Sequence, residues 1–227
     1  MPDKLAVRAC VFDAFGTLFD LASAAARCND ILGDKTTAVA NLWREKQITY
    51  TWLRATQNLH ADFWQVTGDA LNFTLETLAI SDPAVRDRLM GLYRKLDHFP
   101  EVPDMLRRLK AAGFTTAILS NGTPDMLRDL VANAGFGQLL DHVLSVEEVG
   151  VFKPHPSVYQ LAVDRLDVPA SAISFQSSNA WDAHAASAFG MRVVWCNRYG
   201  QRRERLPGAP DREIRTLAEL PDLIERA

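Results

Sequence analysis

Little in the 227-residue chain suits a disulfide scaffold, a membrane span or a nucleic-acid surface. It has three cysteines, Cys10, Cys28 and Cys196, an odd number with wide spacing and no CxxC pair. That pattern argues against a disulfide framework. Cys10 and Cys196 lie in apolar, strand-like runs, where a reduced thiol behaves as a small hydrophobe, and a reducing cytoplasm is the expected setting. No uninterrupted apolar run approaches the ~20 residues that cross a bilayer. No basic stretch followed by an apolar one precedes the first strand-like segment, so neither a membrane anchor nor a signal peptide is expected. Positive charge is not in excess: a formal net charge of -3 and a pI of 6.0 speak against general binding to nucleic acid or anionic membranes. The basic cluster of Arg202, Arg203 and Arg205 reads as a solvated loop. There is no internal repeat and no low-complexity tract.

The chain has ordinary globular proportions, 48% hydrophobic and 23% charged, and is long enough for one large domain or one domain with an insertion. It can bury a core without a metal or disulfide staple. Short apolar runs at 8–12, 115–119, 142–146, 173–175 and 192–195 read as buried strands. Helical patterns at 103–112, 124–134, 156–166, 180–189 and 216–226 lie between or after the later ones, several ending at a glycine. Strands alternating with helices of this length imply βαβ units and a parallel sheet covered on both faces, an α/β fold. Residues 20–97 have almost no strand pattern. They read as helices at about 36–57, 60–79 and 82–96, the last starting at Asp82-Pro83. The expected organisation is a Rossmann-like core of 1–19 and 98–227 with a helical cap of 20–97 over the carboxyl end of the sheet, where open α/β folds bind ligands.

Four polar segments follow strands. Asp13 ends the first, Ser120-Asn121-Gly122 the second, Lys153 lies beyond the third, and Ser177-Ser178-Asn179-Ala180-Trp181-Asp182 follows the fourth. Singly each has a plain reading: a turn acid, a turn before the helix cap Thr123, a loop lysine, a helix start with a first-turn acid. Carboxyl ends of neighbouring parallel strands converge on one crevice, so together they can build one site. One carboxylate is missing from it. A carboxylate that attacks a phosphate ester usually has a second acid two residues on, to protonate the leaving oxygen. Here that position is Phe15.

The order VFDAFGTLFD, SNGTPDM, FKPHPSVYQLA and SSNAWDA, with LWREKQITYTWLR in the cap, resembles the haloacid dehalogenase superfamily over nearly the whole chain, and within it the L-2-haloacid dehalogenases. A halide leaves as a stable anion and needs no proton, which suits Phe15. Magnesium-dependent relatives carry an Asp-rich pair where Ser177 and Ser178 stand, so no metal or other cofactor is expected. The resemblance implies a hydrolase acting on carbon–halide bonds, a (S)-2-haloacid dehalogenase, and typically a homodimer. Asp13 would attack the halogen-bearing carbon in line and form an ester; water would then hydrolyse it, turning a short L-2-haloacid into a D-2-hydroxyacid plus halide.

The same resemblance assigns roles. Thr17 orients the nucleophile, Lys153 balances charge, and Asp182 with Asn179 activates the water. Ser177 and Tyr159 support Lys153 and the pocket. Ser120, with the backbone N–H groups around Ala14 and Phe15, holds the substrate carboxylate. Arg44 and Asn121 receive the halide, and Trp181 lines the pocket. Phe63 or Trp64 could line it too, with cap core favoured for Trp64. Departures are Phe15 and Glu45, where the family often has Tyr and Gln, and Ala183-His184-Ala185-Ala186 after Asp182. His184 reads as a residue packed behind the site rather than a water base. The competing readings are a magnesium-dependent phosphatase of the superfamily and a non-catalytic binding relative.

Overall fold

The first two strands show why the chain begins as it does. The computed structural model describes residues 4–227. In it β1 (Leu5–Val7) and β2 (Ala9–Phe12) are separate strands interrupted at Arg8. β2 is buried at all four positions, as a strand covered on both faces by helices must be. The chain then leaves the sheet for five helices: α1 (Ala22–Ala26), α2 (Asn29–Leu32), α3 (Thr36–Gln57), α4 (Phe63–Thr77) and α5 (Pro83–Tyr93). Asp62 and Asp82 cap α4 and α5, accepting from the backbone N–H groups of Gln65 and Ala84, and so fix where each helix starts. α3 ends at Asn58 in the left-handed conformation.

The chain re-enters the core through α6 (Val102–Ala111) and then alternates strictly: β3 (Thr115–Ser120), α7 (Pro124–Ala134), β4 (His142–Ser145), α8 (Pro156–Leu166), β5 (Ile173–Ser177), α9 (Ala180–Phe189) and β6 (Arg192–Cys196). A short edge strand, β7 (Arg212–Ile214), follows. The six-stranded sheet has the order β4-β3-β2-β5-β6-β7 and every pairing is parallel. The chain steps from β2 to β3 and β4 on one side, then returns to place β5 on the other. That reversal beside β2 is the crevice in which such sheets bind ligands. The fold is thus the expected α/β core with an inserted helical cap. Among the described residues no helix is long and apolar enough to cross a membrane.

The expected helix at 216–226 is a correction. The segment forms a single tight turn (Leu217–Glu219), the four-residue α10 (Leu220–Leu223) and then β8 (Ile224–Arg226). β8 pairs in parallel with β1, Leu5 opposite Ile224. Pairing with the otherwise unpartnered β1 outweighs local helix propensity, which is worth only tenths of a kcal/mol per residue. The expected strand at 8–12 begins instead at Ala9, because Arg8 is the break between two sheets.

Candidate active site

β2 delivers its carboxylate to the crevice through one more ladder bond, Asp13 N–H to the Gln176 carbonyl at 2.9 Å. A tight turn follows. Gly16 takes φ +87°, a conformation open to glycine and costly for other residues, and its N–H reaches the Phe19 carbonyl at 2.8 Å. The turn brings the Thr17 hydroxyl back to Asp13 Oδ2 at 2.9 Å. Ser178 N–H, at the end of β5, donates to that hydroxyl oxygen at 2.8 Å. Asn179 Nδ2 donates to the same Asp13 oxygen at 2.8 Å and to the Phe15 carbonyl at 3.2 Å. Two donors therefore hold Oδ2.

The other oxygen, Oδ1, faces Lys153 Nζ at 3.2 Å. The same ammonium lies 2.9 Å from Asp182 Oδ2, and Tyr159 OH donates to Asp182 Oδ1 at 2.7 Å. All three charged groups are buried: Asp13 is 6% exposed, Lys153 1% and Asp182 0%. Burial raises the Asp182 carboxyl above the usual carboxylate range, with the Asp13 charge adding to it against the pull of Lys153 and the hydrogen bond from Tyr159. For Lys153, burial opposes the charge, but Asp13 and Asp182 outweigh it and the ammonium is held above its ordinary range. Burial also pushes the Tyr159 phenol well up, helped by Asp182. Lys153 is thus a cation and Tyr159 a neutral donor at neutral pH.

The cap closes the site through one face of α3. Arg44 Nη2 donates to Asn179 Oδ1 at 3.0 Å, across the cap–core seam, and Nη1 to Gln47 Oε1 at 2.9 Å. Gln47 is anchored in turn by the Tyr93 hydroxyl at 3.0 Å and by its own Nε2 on Thr67 Oγ1 at 2.7 Å. Burial pushes the Tyr93 phenol up to about 12, so it stays a donor. Asp13, Phe15, Arg44, Ile48, Thr51, Phe63, Asn121, Lys153, Asn179 and Trp181 enclose a small cavity. Only about 10 Å³ is free to the centre of a water-sized sphere, room for roughly one water. The cap must move for any larger molecule to enter. Phe15 packs on Phe63 and Tyr93 with ring centroids 5.3 and 5.5 Å apart. A side chain at Gly122 would crowd this packing, since a Cβ would lie 2.7 Å from Phe15 Cε2.

The structure brings most of the expected residues together, but five take other places. Ala14 and Ser120 are fully buried and do not wall the cavity; the Ser120 hydroxyl accepts from Gly122 N–H at 3.1 Å. Tyr159, expected to help form the pocket, sits behind it, bonded to Asp182. Asp182 is also behind the wall, with both oxygens engaged and Lys153 between it and Asp13. Ser177 accepts from Asn179 N–H at 3.1 Å and so shapes the turn into α9 rather than touching Lys153. Phe63 lines the cavity; Trp64 does not, and lies under the Arg94 guanidinium at 5.5 Å. Ile48 and Thr51, which the sequence reading missed, lie four and seven residues after Arg44, one and two helical turns on, and that spacing is the signal that finds them.

Among the described residues no group of three or more His, Cys, Asp or Glu side chains is placed to hold a metal ion. Asp13 and Asp182 are the two carboxylates of the centre, and the Lys153 ammonium already bridges them. The chemistry the arrangement can do is nucleophilic: a desolvated carboxylate held by a cation and two neutral donors, facing a small cavity walled by Phe15, Ile48, Phe63 and Trp181 and by the Arg44 guanidinium.

Comparison with known proteins places the chain: it belongs to the haloacid dehalogenase-like hydrolases, whose family model matches residues 7–190. More particularly, it is 42% identical over 221 residues to (S)-2-haloacid dehalogenase 1 of Pseudomonas sp. (strain CBS-3), covering 97% of each chain. It is 43% identical over 222 residues to the (S)-2-haloacid dehalogenase of Pseudomonas sp. (strain YL), covering 97% of this chain and 96% of that one. Among solved structures it is similar to the L-2-haloacid dehalogenase from Xanthobacter autotrophicus with chloropropionic acid covalently bound, at 37% identity and TM-score 0.90, covering 96% of this chain and 98% of that one.

Proposed function

We propose that the protein hydrolyses short L-2-haloacids to D-2-hydroxyacids through an ester on Asp13. The observation that carries this reading is the unequal treatment of the two Asp13 oxygens, together with Phe15 in place of a leaving-group acid. Oδ1 has one partner, Lys153, and is the attacking oxygen. Oδ2, held by Thr17 and Asn179 at 2.9 and 2.8 Å, becomes the ester carbonyl. When water adds to the Asp13 carboxyl carbon, the negative charge builds on Oδ2, where those two donors already wait; one such donor is worth roughly 10²–10³ in rate.

In the first step the Asp13 Oδ1 lone pair forms the bond to C2 of the substrate, and the carbon–halogen bond breaks with its electron pair going to the halide. Arg44 receives that anion. Two of its five N–H donors are taken by Asn179 and Gln47, which aim the guanidinium and leave the rest. Asn121 uses its Oδ1 on Lys153 N–H at 3.0 Å, leaving its amide N–H groups for the halide. Backside attack inverts C2. Ser120 and the backbone N–H groups around Ala14 and Phe15 bind the substrate carboxylate, reached through the loop rather than from the present cavity wall.

In the second step Lys153, with one N–H beyond those on Asp13 and Asp182, holds the water. Asp182, whose Oδ2 accepts from the same ammonium, takes its proton, a task suited to a carboxyl raised by burial; the bond from the Asp13 carboxyl carbon to Oδ1 then breaks, and Oδ1 leaves on C2 as the hydroxyl of the product, taking that proton. We take 1–19 and 98–227 as the core that carries the nucleophile and 20–97 as the cap that carries Arg44. The test is chloride release from separate L- and D-2-chloropropionate with chelator present, beside Asp13→Asn, and a nitrophenyl phosphate assay with magnesium in parallel. Chloride from the L isomer alone, with D-lactate formed and activity lost in the variant, is the expected result. Magnesium-dependent phosphate release without chloride overturns it.

A further inference from the structure

A second cavity shares a wall with the first. Trp181 lines both, and on its far side lies a cleft of about 620 Å³ floored by α9 and walled by Trp52, Pro154, Tyr159, Leu206 and Pro207. Its size is that of a small-molecule site. His184 is its one basic side chain, only 4% exposed, and neither ring nitrogen has a hydrogen-bond partner. A buried imidazole left unpaired costs free energy, and both nitrogens are closed off from the cleft itself. The Leu206-Pro207 wall is pinned to α9, Ser187 Oγ donating to the Ala209 carbonyl at 2.7 Å and accepting from Ala209 N–H at 3.1 Å.

The cleft lies on the cap–core seam. Trp52 comes from α3 of the cap and is 38% exposed; it meets Trp181 of the core edge-on, ring centroids 5.4 Å apart. This cap–core contact stands beside Trp181, the residue that the cleft and the Asp13 cavity share. The basic stretch Arg202–Arg205 leads directly into Leu206. Arg203 pairs with Glu213 at 3.4 Å, while Arg202 and Arg205 are exposed. The opposite side of the seam is unlike this: its hollow, between Trp64 and Arg94 of the cap and 123–126 of the core, carries Asp62, Asp125 and Glu147. Even with Arg94 on its wall, Asp125 paired to Arg128 and Glu147 to His60, that hollow is less favourable to an anion than the cleft beside Arg202 and Arg205.

We infer that the cleft behind Trp181 is the substrate's way in: a carboxylate with an apolar chain enters with its chain among the tryptophans and is passed through the Trp52–Trp181 door. This rests on the Asp13 site taking a 2-haloacid. The test uses Asp13→Asn protein and 2-bromohexanoate, followed by stopped-flow tryptophan fluorescence. Ala188→Phe narrows the cleft at its exposed rim. A route, unlike a final resting place, changes kon and koff together, so both fall about tenfold while Kd stays nearly constant. Arg202→Glu with Arg205→Glu, on the exposed loop, lowers kon about tenfold at low salt and not at high salt. Asp125→Lys, across the seam, leaves kon unchanged. Unchanged kon in both cleft variants overturns the route, as does a rise in kon for Asp125→Lys alone. Halide release by wild-type protein is measured separately. Its absence sinks the reaction proposed above, whereas an active enzyme with unaltered kon sinks only the route.

Discussion

Replacing Lys153 by Met removes a charge and keeps most of the volume, which makes it the most informative perturbation of the centre. The ammonium lies 3.2 Å from Asp13 and 2.9 Å from Asp182, with all three groups buried. Removing one partner from a buried ion pair costs about 3–5 kcal/mol, a large part of the ~5–15 kcal/mol that keeps a domain folded. The deficit depends on pH through Asp182. Burial already raises its pKa, and Lys153 is the strongest influence pulling it down, so the variant raises it further. A carboxyl with a raised folded pKa contributes stability that is intact below its unfolded pKa, about 3.9, and lost as pH rises through the folded value. The gap between wild type and Lys153→Met therefore widens as pH rises from the ordinary carboxylate range towards and past neutrality. Urea unfolding followed by tryptophan fluorescence across that range measures it, and halide release in the same samples should fall by about 10³ or more. Adding Asp182→Asn should restore part of the stability and none of the activity. A deficit below about 1 kcal/mol, the worth of one ordinary hydrogen bond, or one that does not change with pH, refutes the reasoning.

Four further outcomes are expected. Asp182→Asn should form the ester and fail to hydrolyse it, so intact-protein mass spectrometry after substrate addition shows the adduct persisting; an unmodified, turning-over variant contradicts the assignment of the water base. Tyr159→Phe removes a hydrogen bond that holds the Asp182 pKa down, so the acid limb of the kcat profile should move to higher pH, at a stability cost of about 1.5–3 kcal/mol. Arg44→Lys loses the fork that meets both Asn179 and Gln47; halide release should slow by about 10², with no ester accumulating in rapid-quench samples, because the first step is the one impaired. Gly122→Ala places a Cβ 2.7 Å from Phe15 and 3.1 Å from Leu127; a loss of about 1–3 kcal/mol in thermal unfolding is expected, relieved in part by Phe15→Leu.

How far the sequence carries depends on the kind of interaction that decides each element. β2 to β6 were legible because strands buried on both faces are short apolar runs, and α7, α8 and α9 because a proline or polar cap starts each one. β1 and β8 were not, since each exists only by pairing with the other across 219 residues of register, Leu5 to Ile224, and Thr216 to Arg226 taken alone reads as a helix. β7 has three residues, Arg212 to Ile214, only the last of them buried. In the site, the side chains that follow strands were legible from position. The support around Arg44 was not: Gln47, Thr67 and Tyr93 come from three cap helices and look in sequence like ordinary polar and aromatic residues. Asp182 shows the same limit. Its place in the first turn of α9 was readable, but its burial behind Lys153 and Tyr159 depends on how α8 packs against α9.

The central claim is that Asp13, not water, displaces the halide. A single-turnover reaction of excess enzyme with L-2-chloropropionate in water enriched in heavy oxygen tests it directly. If an ester forms and water opens it at the carboxyl carbon of Asp13, the heavy oxygen appears in the peptide that contains Asp13 and the lactate carries none at C2. Label at C2 of the lactate after one turnover, with the Asp13 peptide unlabelled, would mean that water attacks the substrate itself and that Asp13 serves as a base.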